Sequence, residues 1–118
     1  MTEGLADAVE AELVDLSYRL TEPGKRECLR CYLLRMIEQF GCDNTHRWTK
    51  RWRDLRSPRA RGLIRRLVRQ GACCCDCEVI LNVYPYYPDS GRLLPCAGVL
   101  RAGSSVPCDL SSGLRRSA

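Results

Sequence analysis

Two groups of closely spaced cysteines are the residues of this chain with the clearest capacity for chemistry. Cys28 and Cys31 form a C-x-x-C pair, and a second group begins 42 residues after Cys31, consisting of Cys73, Cys74, Cys75 and Cys77. Zinc prefers thiolate ligands in tetrahedral geometry, and closed sites built from four cysteines are structural sites. The spacing therefore predicts a four-thiolate zinc site whose two halves come from distant parts of the chain.

The second half of this site is ambiguous from spacing alone. Cys74 and Cys77 form another C-x-x-C, whereas Cys75 pairs with either Cys73 or Cys77 in a tighter C-x-C. All three pairs place two thiols close enough together for one metal ion.

Two further residues compete for a place in the ligand set. Cys42 and His46 lie four residues apart, at helical spacing, and either can replace one cysteine. The clustered cysteines have two alternative roles besides metal binding. They are either small apolar side chains buried in the core or a redox dithiol. Cys28 and Cys31 lack the strand-to-helix context of a thioredoxin-like motif, so the metal site is favoured.

Nine cysteines in 118 residues also raise the alternative of a disulfide framework. The odd number rules out complete internal pairing, and residues 1–20 lack the basic start and uninterrupted apolar stretch of a signal peptide. No run approaches the roughly 20 apolar residues of a membrane span. We therefore expect a cytoplasmic protein with reduced thiols, in which clustered cysteines favour metal binding.

The charges are strongly segregated along the chain. Residues 1–24 hold six acids and one base, whereas residues 47–69 hold ten bases and one acid. So dense a basic stretch predicts a surface for a polyanion such as RNA or the ribosome, or for an acidic protein partner. The residues predicted to bind are Arg47, Lys50, Arg51, Arg53, Arg59, Arg65, Arg66 and Arg69.

Trp48 and Trp52 lie within this basic stretch and have two interpretations. Large rings among cations are typical of surfaces that stack nucleic-acid bases. Their spacing of four residues, however, places both on one helical face, and we favour a position in the core.

The apolar periodicity predicts a mainly α fold of about four helices. Leucines and valine recurring every three or four residues indicate an acidic first helix within residues 1–24. Further helices are expected over about 25–40, from a cap at 43–45 to about 55, and from a Ser57-Pro58 start to about 70. Residues 78–84 are rich in strand formers and predict a short extended segment.

These elements suggest three parts. Residues 1–24 form the acidic N-terminal helix and residues 25–87 a helical domain that zinc staples together. Residues 88–118 are rich in Pro, Gly and Ser and predict a flexible tail, in which Cys96 and Cys108 have no close partner in sequence.

Several motifs in one order resemble a known family. They are Cys28-Leu29-Arg30-Cys31-Tyr32, Phe40-Gly41-Cys42-Asp43-Asn44-Thr45, Arg51-Trp52-Arg53 and Cys75-Asp76-Cys77-Glu78-Val79-Ile80-Leu81-Asn82. Together they are similar to a family of small, mostly actinobacterial proteins classed as a domain of unknown function. Its Cys-Asp-Cys-Glu motif implies Cys75 and Cys77, beside Cys28 and Cys31, as the zinc ligands.

The resemblance also carries a functional expectation. One mycobacterial relative is associated with recruiting a hibernation factor to ribosomes when zinc is scarce, which implies a zinc-responsive, ribosome-associated role. We therefore expect a non-enzymatic zinc-binding protein that acts as an interaction or regulatory module. The alternatives are a thiol-based redox protein, and a purely structural zinc domain that binds an acidic protein partner.

Overall fold

The computed structural model describes residue 16, residues 18–85 and residues 96–108. Four α-helices follow one another in this part of the chain: α1 (Leu29–Phe40), α2 (Arg47–Arg56), α3 (Leu63–Arg69) and the single turn α4 (Asp76–Glu78). A π-helical turn, Val79–Val83, continues directly from α4. The mainly α fold is therefore confirmed. Most of the predicted acidic helix lies outside the described residues, although residues 18–20 are helical.

Helix α1 supplies the central face of the core. Leu29, Tyr32, Leu33 and Met36 are fully buried along it at helical spacing. Gly41 ends the helix with a φ of 79°, a left-handed conformation that favours glycine, and its N–H donates to the carbonyl of Ile37. The predicted end of this helix is thus confirmed.

Both tryptophans belong to the core, as their spacing predicts. Trp52 is 1 % exposed, and its indole N–H donates to the carbonyl of Glu27 at 2.9 Å. Trp48 is 7 % exposed and meets Tyr32 edge to face. Their rings hold α2 against α1 and are not available for stacking on bases.

The segment after the cysteine group is helical, and the predicted extended stretch over residues 78–84 is wrong. The backbone N–H of Tyr84 donates to the carbonyl of Val79 at 2.8 Å, which closes a π-helical turn. Val79 is buried in the core, with Ile80 and Val83 packed against it. No strand is present in the described ranges to pair with this segment, so its β-branched residues contribute through packing.

Helix α3 is shorter than its periodicity predicts. Residues from Ser57 to Gly62 form successive turns instead of the first two helical turns. The Ser57 hydroxyl donates to the carbonyl of Gly103 at 2.7 Å and so does not cap a helix. The hydroxyl that the sequence predicts as a helix cap is thus used in a hydrogen bond to a distant part of the chain.

Residues 96–108 pack against the helical domain. The backbone N–H of Val99 donates to the carbonyl of Arg26 at 2.8 Å, and the Arg26 guanidinium donates in return to the Val99 carbonyl. Val99 is 4 % exposed and Cys108 is 1 % exposed. This part of the predicted tail thus lies on the domain. The boundary at residue 88 and the flexibility of the other tail residues stay predictions.

Candidate metal centres

Four cysteine sulfurs converge where residues 96–108 meet the start of α1. Cys28, Cys31, Cys96 and Cys108 place their Sγ atoms within 4.8 Å of one another. The sulfurs of Cys31 and Cys108 are 3.7 Å apart. Tetrahedral zinc with Zn–S bonds of about 2.3 Å requires sulfurs about 3.8 Å apart, so the spacing fits the metal. We call these four residues the closed cluster.

Backbone N–H groups point at three of these sulfurs. Cys28 is the N-cap residue of α1, and its sulfur accepts from the N–H of Cys31 at 3.4 Å. The sulfur of Cys96 accepts from the N–H groups of Cys28 and Gly98, both at 3.3 Å, and that of Cys108 from Ala97 at 3.4 Å. N–H donors of this kind stabilise thiolates over thiols, as a metal ligand requires.

Gly98 is the residue that allows the turn around Cys96. Its φ of 90° lies in the left-handed region, which L side chains rarely adopt. A Cβ at this position would also meet the Cβ of Arg26 at 3.4 Å. The glycine therefore brings its own N–H to the Cys96 sulfur while the chain passes close to Arg26.

Electrostatic conditions differ among the four thiols. A hydrogen bond from the side chain of Cys31 lowers the pKa of Cys28 to about 5, which outweighs the effect of burial. Burial raises the pKa of Cys96 to about 11. Cys28 is thus a thiolate at neutral pH, whereas Cys96 must lose a proton to become a ligand.

The predicted ligand set is divided between two places. Among the described residues, Cys28 and Cys31 share their cluster with Cys96 and Cys108, whereas Cys75 and Cys77 lie in a separate cluster with Cys42. The structure thus places the four predicted ligands in two clusters, with Cys28 and Cys31 in one and Cys75 and Cys77 in the other. The physical reason is that residues 96–108 fold back and fill the space beside the C-x-x-C pair.

The second cluster contains three thiols. Cys42, Cys75 and Cys77 place their sulfurs within 4.8 Å of one another, and all three are partly exposed. Cys42 follows the left-handed Gly41 at the end of α1, and Cys75 is the N-cap residue of α4. Three thiolates can hold zinc and leave a fourth position for water or another ligand. We call these residues the open cluster.

Asp76 fixes the position of the open cluster. Its carboxylate is fully buried and accepts hydrogen bonds from the backbone N–H groups of Trp48 and Thr49, at 2.9 and 3.0 Å. It also accepts from the Thr49 hydroxyl at 2.6 Å, and the N–H of Asp76 donates to the carbonyl of Thr45. A negative side chain at the start of α2 satisfies the free N–H groups of that helix. Asp76 thereby caps α2 from a distant part of the sequence.

The thiols of the open cluster also differ in pKa. Burial opposes ionisation of Cys42, but hydrogen bonds, the largest from the backbone of Cys77, lower its pKa overall. Burial raises the pKa of Cys75, and burial together with interactions from Cys42 raises that of Cys77 to about 12. The cluster thus combines one acidic thiol with two that keep their protons until a metal displaces them.

Cys73 and Cys74 take no part in either cluster. They form a disulfide between adjacent residues, against the expectation that all thiols are reduced. The Glu78 carboxylate accepts from the backbone N–H of Cys74 at 3.0 Å and lies 3.9 Å from the Cys75 sulfur. In this oxidised form neither Cys73 nor Cys74 is a thiolate ligand.

His46 is placed away from both clusters. Its Nε2 atom lies 2.9 Å from the carbonyl oxygen of Ala72, at a buried position. The residue ties the start of α2 to the segment before the open cluster. A ligand role for His46 is not favoured by this geometry.

The predicted basic surface falls into two groups of residues. Four of its members make contacts within the protein: Arg47 lies over the Trp48 ring and Arg51 over Tyr18, Arg53 pairs with Asp54, and Arg66 donates to Ser105. The other four have exposed side chains, and these side chains make no hydrogen bond or ion pair with other described residues. These are Lys50, Arg59, Arg65 and Arg69, which Arg61 joins as a fifth exposed cation.

Across the described residues, no helix combines the length and apolar character needed to cross a membrane.

Comparison with known proteins supports a resemblance over the centre of the chain. A family model described as "Protein of unknown function (DUF2695)" matches residues 29–82, which include α1 to α4 and the whole open cluster. Three of the four closed-cluster cysteines, Cys28, Cys96 and Cys108, lie outside the match. The chain matches no curated protein and no solved structure. Residues 29–82, which contain all three cysteines of the open cluster, are thus similar to a domain of unknown function.

Proposed function

We propose that the protein is a non-enzymatic zinc-binding module of the cytoplasm, in which the closed cluster holds one structural zinc ion. The observation that carries this proposal is the convergence of four cysteine sulfurs within 4.8 Å, with backbone N–H groups donating to three of them. Four thiolates complete a tetrahedral shell and leave no position for a substrate. The bound ion joins α1 to residues 96–108, so its role is to hold the fold.

The open cluster is the zinc-responsive part of this proposal. Three partly exposed thiols give an incomplete shell, so a competing ligand reaches the metal more easily than in the closed cluster. Asp76 links this cluster to the start of α2, the helix that carries part of the basic surface. Gain or loss of zinc there would therefore act on an element that contacts a partner.

Zinc analysis of the purified protein tests both sites. We expect two zinc ions per chain, of which a chelator removes one quickly and the other slowly. Cys42→Ser should abolish the fast fraction and leave one slowly released ion. A protein that carries no zinc, and whose circular dichroism is unchanged by chelation, would contradict the proposal.

Zinc affinity of the closed cluster should rise with pH. Zinc binds the thiolate, and Cys96, with a pKa of about 11, must release a proton on binding at neutral pH. Cys28, with a pKa of about 5, has already released its proton. The apparent association constant should therefore rise at least about tenfold per pH unit between roughly pH 6 and 8. Competition with a chromophoric chelator on Cys42→Ser measures this slope, and a flat profile would contradict it.

A second candidate function, binding of ribosomal RNA, is favoured by the exposed cations. Lys50, Arg59, Arg61, Arg65 and Arg69 are exposed, and their side chains make no hydrogen bond or ion pair with other described residues. A set of unpaired cations on one stretch of 20 residues favours phosphate contacts over internal charge balance. The ligand in this second candidate is the phosphate backbone of the RNA, with no stacking by the buried tryptophans.

Salt dependence tests this second candidate. Replacing both Arg65 and Arg69 by Gln should lower the slope of log affinity against log salt by about 1.4 to 1.8, since each phosphate contact contributes about 0.7 to 0.9. Lys25→Gln removes an exposed cation outside the basic stretch and serves as the control. Fluorescence anisotropy with a labelled ribosomal RNA fragment gives the slopes. Equal slopes for the variant, the control and the parent would rule out these contacts.

A further inference from the structure

A cleft that includes no cysteine among its described lining residues opens between α3 and the loop 101–106. Its volume is about 500 Å³, within the range of small-molecule sites. The polar side chains that line it are those of Arg66, Arg101, Ser57, Ser104 and Ser105. Among the described residues that line the cleft there is no carboxylate, so neither guanidinium group has an acidic partner among them.

Arg66 is prepared for a negative ligand by its surroundings. One of its terminal nitrogens donates to the Ser105 hydroxyl, while its Nε is buried and has no hydrogen-bond partner among the described residues. An unpaired buried donor is unfavourable, and a nearby anion offsets that cost. The planar guanidinium, with several N–H donors in fixed directions, matches the oxygens of a phosphate group.

Arg101 supplies the second charge from the opposite wall. Its side chain is exposed and makes no hydrogen bond or ion pair with the described residues. Its backbone carbonyl accepts from the N–H of Ser104 at 3.1 Å, which closes a turn, and Gly103 has a φ of 81° within it. The loop therefore folds around the cleft with hydroxyl groups and a cation on its inner side.

The chemistry of the lining indicates which anion fits. Two arginines and the hydroxyls of Ser104 and Ser105 can satisfy the oxygens of a dianionic phosphate, which would be a stronger ligand than a carboxylate with two oxygens. The remaining lining includes Ala60, Leu63 and Val106, and none of the described residues in it is aromatic. The volume leaves room for a small organic group beside the phosphate but offers no surface on which a base would stack.

The loop depends on the closed cluster for its position. Cys96 and Cys108 bracket it, and its other attachments to described residues are the hydrogen bonds from Ser57 to Gly103 and from Arg66 to Ser105 and the exchange between Arg26 and Val99. A metal ion bound by both cysteines and by α1 would fix both ends of the loop. The second wall of the cleft would then be in place only when the metal is bound.

We propose that the cleft between α3 and the loop 101–106 binds a small phosphomonoester, and that metal in the closed cluster assembles this site. The phosphate lies between Arg66 and Arg101, with the hydroxyls of Ser104 and Ser105 donating to it. The second part of the proposal rests on the proposed zinc site. The first part stands on the lining of the cleft.

Isothermal titration of the zinc-loaded protein with ribose 5-phosphate, and separately with inorganic phosphate, tests the site. We expect ribose 5-phosphate to bind and Arg101→Gln to weaken it about tenfold or more, as loss of a charge-assisted contact predicts. Arg101 is exposed, so this substitution should leave folding intact. Arg69→Gln, which removes an exposed charge from α3 outside the cleft, should change affinity less than about twofold.

The possible results separate the two parts of the proposal. Absence of binding by either probe, or equal weakening by Arg101→Gln and Arg69→Gln, would overturn the phosphate site. Binding by inorganic phosphate alone would overturn the phosphomonoester as ligand. Cys108→Ser should abolish binding by removing the ligand that ties the end of the loop to the metal, and retained binding would overturn metal-dependent assembly. Zinc content is measured on the same samples, so failure of the zinc site is seen independently of the Arg101 comparison.

Discussion

Cys108→Ser is expected to destabilise the whole protein by about as much as complete removal of zinc. Zinc in excess stabilises the folded state by about 4 kcal/mol when its free concentration is 1,000 times its dissociation constant. Serine keeps the size of the side chain but offers no thiolate, so the closed cluster falls from four ligands to three. Since Cys108 is 1 % exposed and lies at the end of the described tail, its ligand bond also holds that segment on α1.

Thermal unfolding in the presence of excess zinc measures this effect. We expect the melting temperature of Cys108→Ser to fall by about 15 °C or more, since 1 kcal/mol corresponds to about 4 to 8 °C in a domain of this size. The wild-type protein in chelator should melt close to the variant.

Cys42→Ser provides the matched control. It removes one thiol from the open cluster, which is partly exposed, and should lower the melting temperature far less. Equal losses from Cys108→Ser and Cys42→Ser would contradict a structural role confined to the closed cluster. A Cys108→Ser protein as stable as the parent in zinc would contradict any structural metal there.

Local patterns in the sequence are sufficient to predict most of the helical fold. The period of apolar residues along α1 predicts its buried face, and the spacing of Trp48 and Trp52 predicts their place in the core. Both are properties of one helix and its neighbours in sequence. Residues 78–84 were misassigned because β-branched residues suit a packed helical turn as well as a strand, and the absence of a partner strand is a tertiary fact.

The composition of the closed cluster depends on contacts that spacing does not reveal. Cys28 and Cys96 are 68 residues apart, and no apolar period in the tail indicates that it folds back. One local signal was present. Cys96-Ala97-Gly98 places a glycine two residues after a cysteine, which is suited to a left-handed turn whose N–H groups face the sulfur.

The role of Asp76 was also missed from the sequence. Between two cysteines it looks like a spacer in a ligand motif, whereas it caps α2 at the N–H groups of Trp48 and Thr49. Capping signals are normally sought just before a helix, and here the capping residue lies 28 and 27 residues after Trp48 and Thr49, from whose N–H groups it accepts. The motif Cys-Asp-Cys therefore combines ligands and anchor in three adjacent residues.

Asp76→Ala is expected to destabilise the protein by about 3 kcal/mol or more, because it leaves buried donors without an acceptor. The donors are the two backbone N–H groups of Trp48 and Thr49 and the hydroxyl of Thr49. Asp76→Asn should cost less, because one amide oxygen remains to accept. The NH₂ group of the asparagine would, however, face one of the same donors and cannot accept a hydrogen bond from it.

Two measurements separate an anchoring role of Asp76 from a general loss of stability. Chemical unfolding gives the free energy, with Asp54→Ala as the control, since Asp54 is exposed and pairs only with Arg53 among the described residues. Zinc release from the folded variant should lose its fast fraction, because Cys75 and Cys77 flank the anchor, while the slow fraction from the closed cluster persists. If Asp76→Ala were as stable as Asp54→Ala and kept both fractions, the carboxylate would not position the open cluster. Loss of stability together with loss of the fast fraction, while the slow fraction persists, would instead establish that one side chain both caps α2 and positions the open cluster. Zinc bound in the open cluster and the start of α2 would then be physically linked.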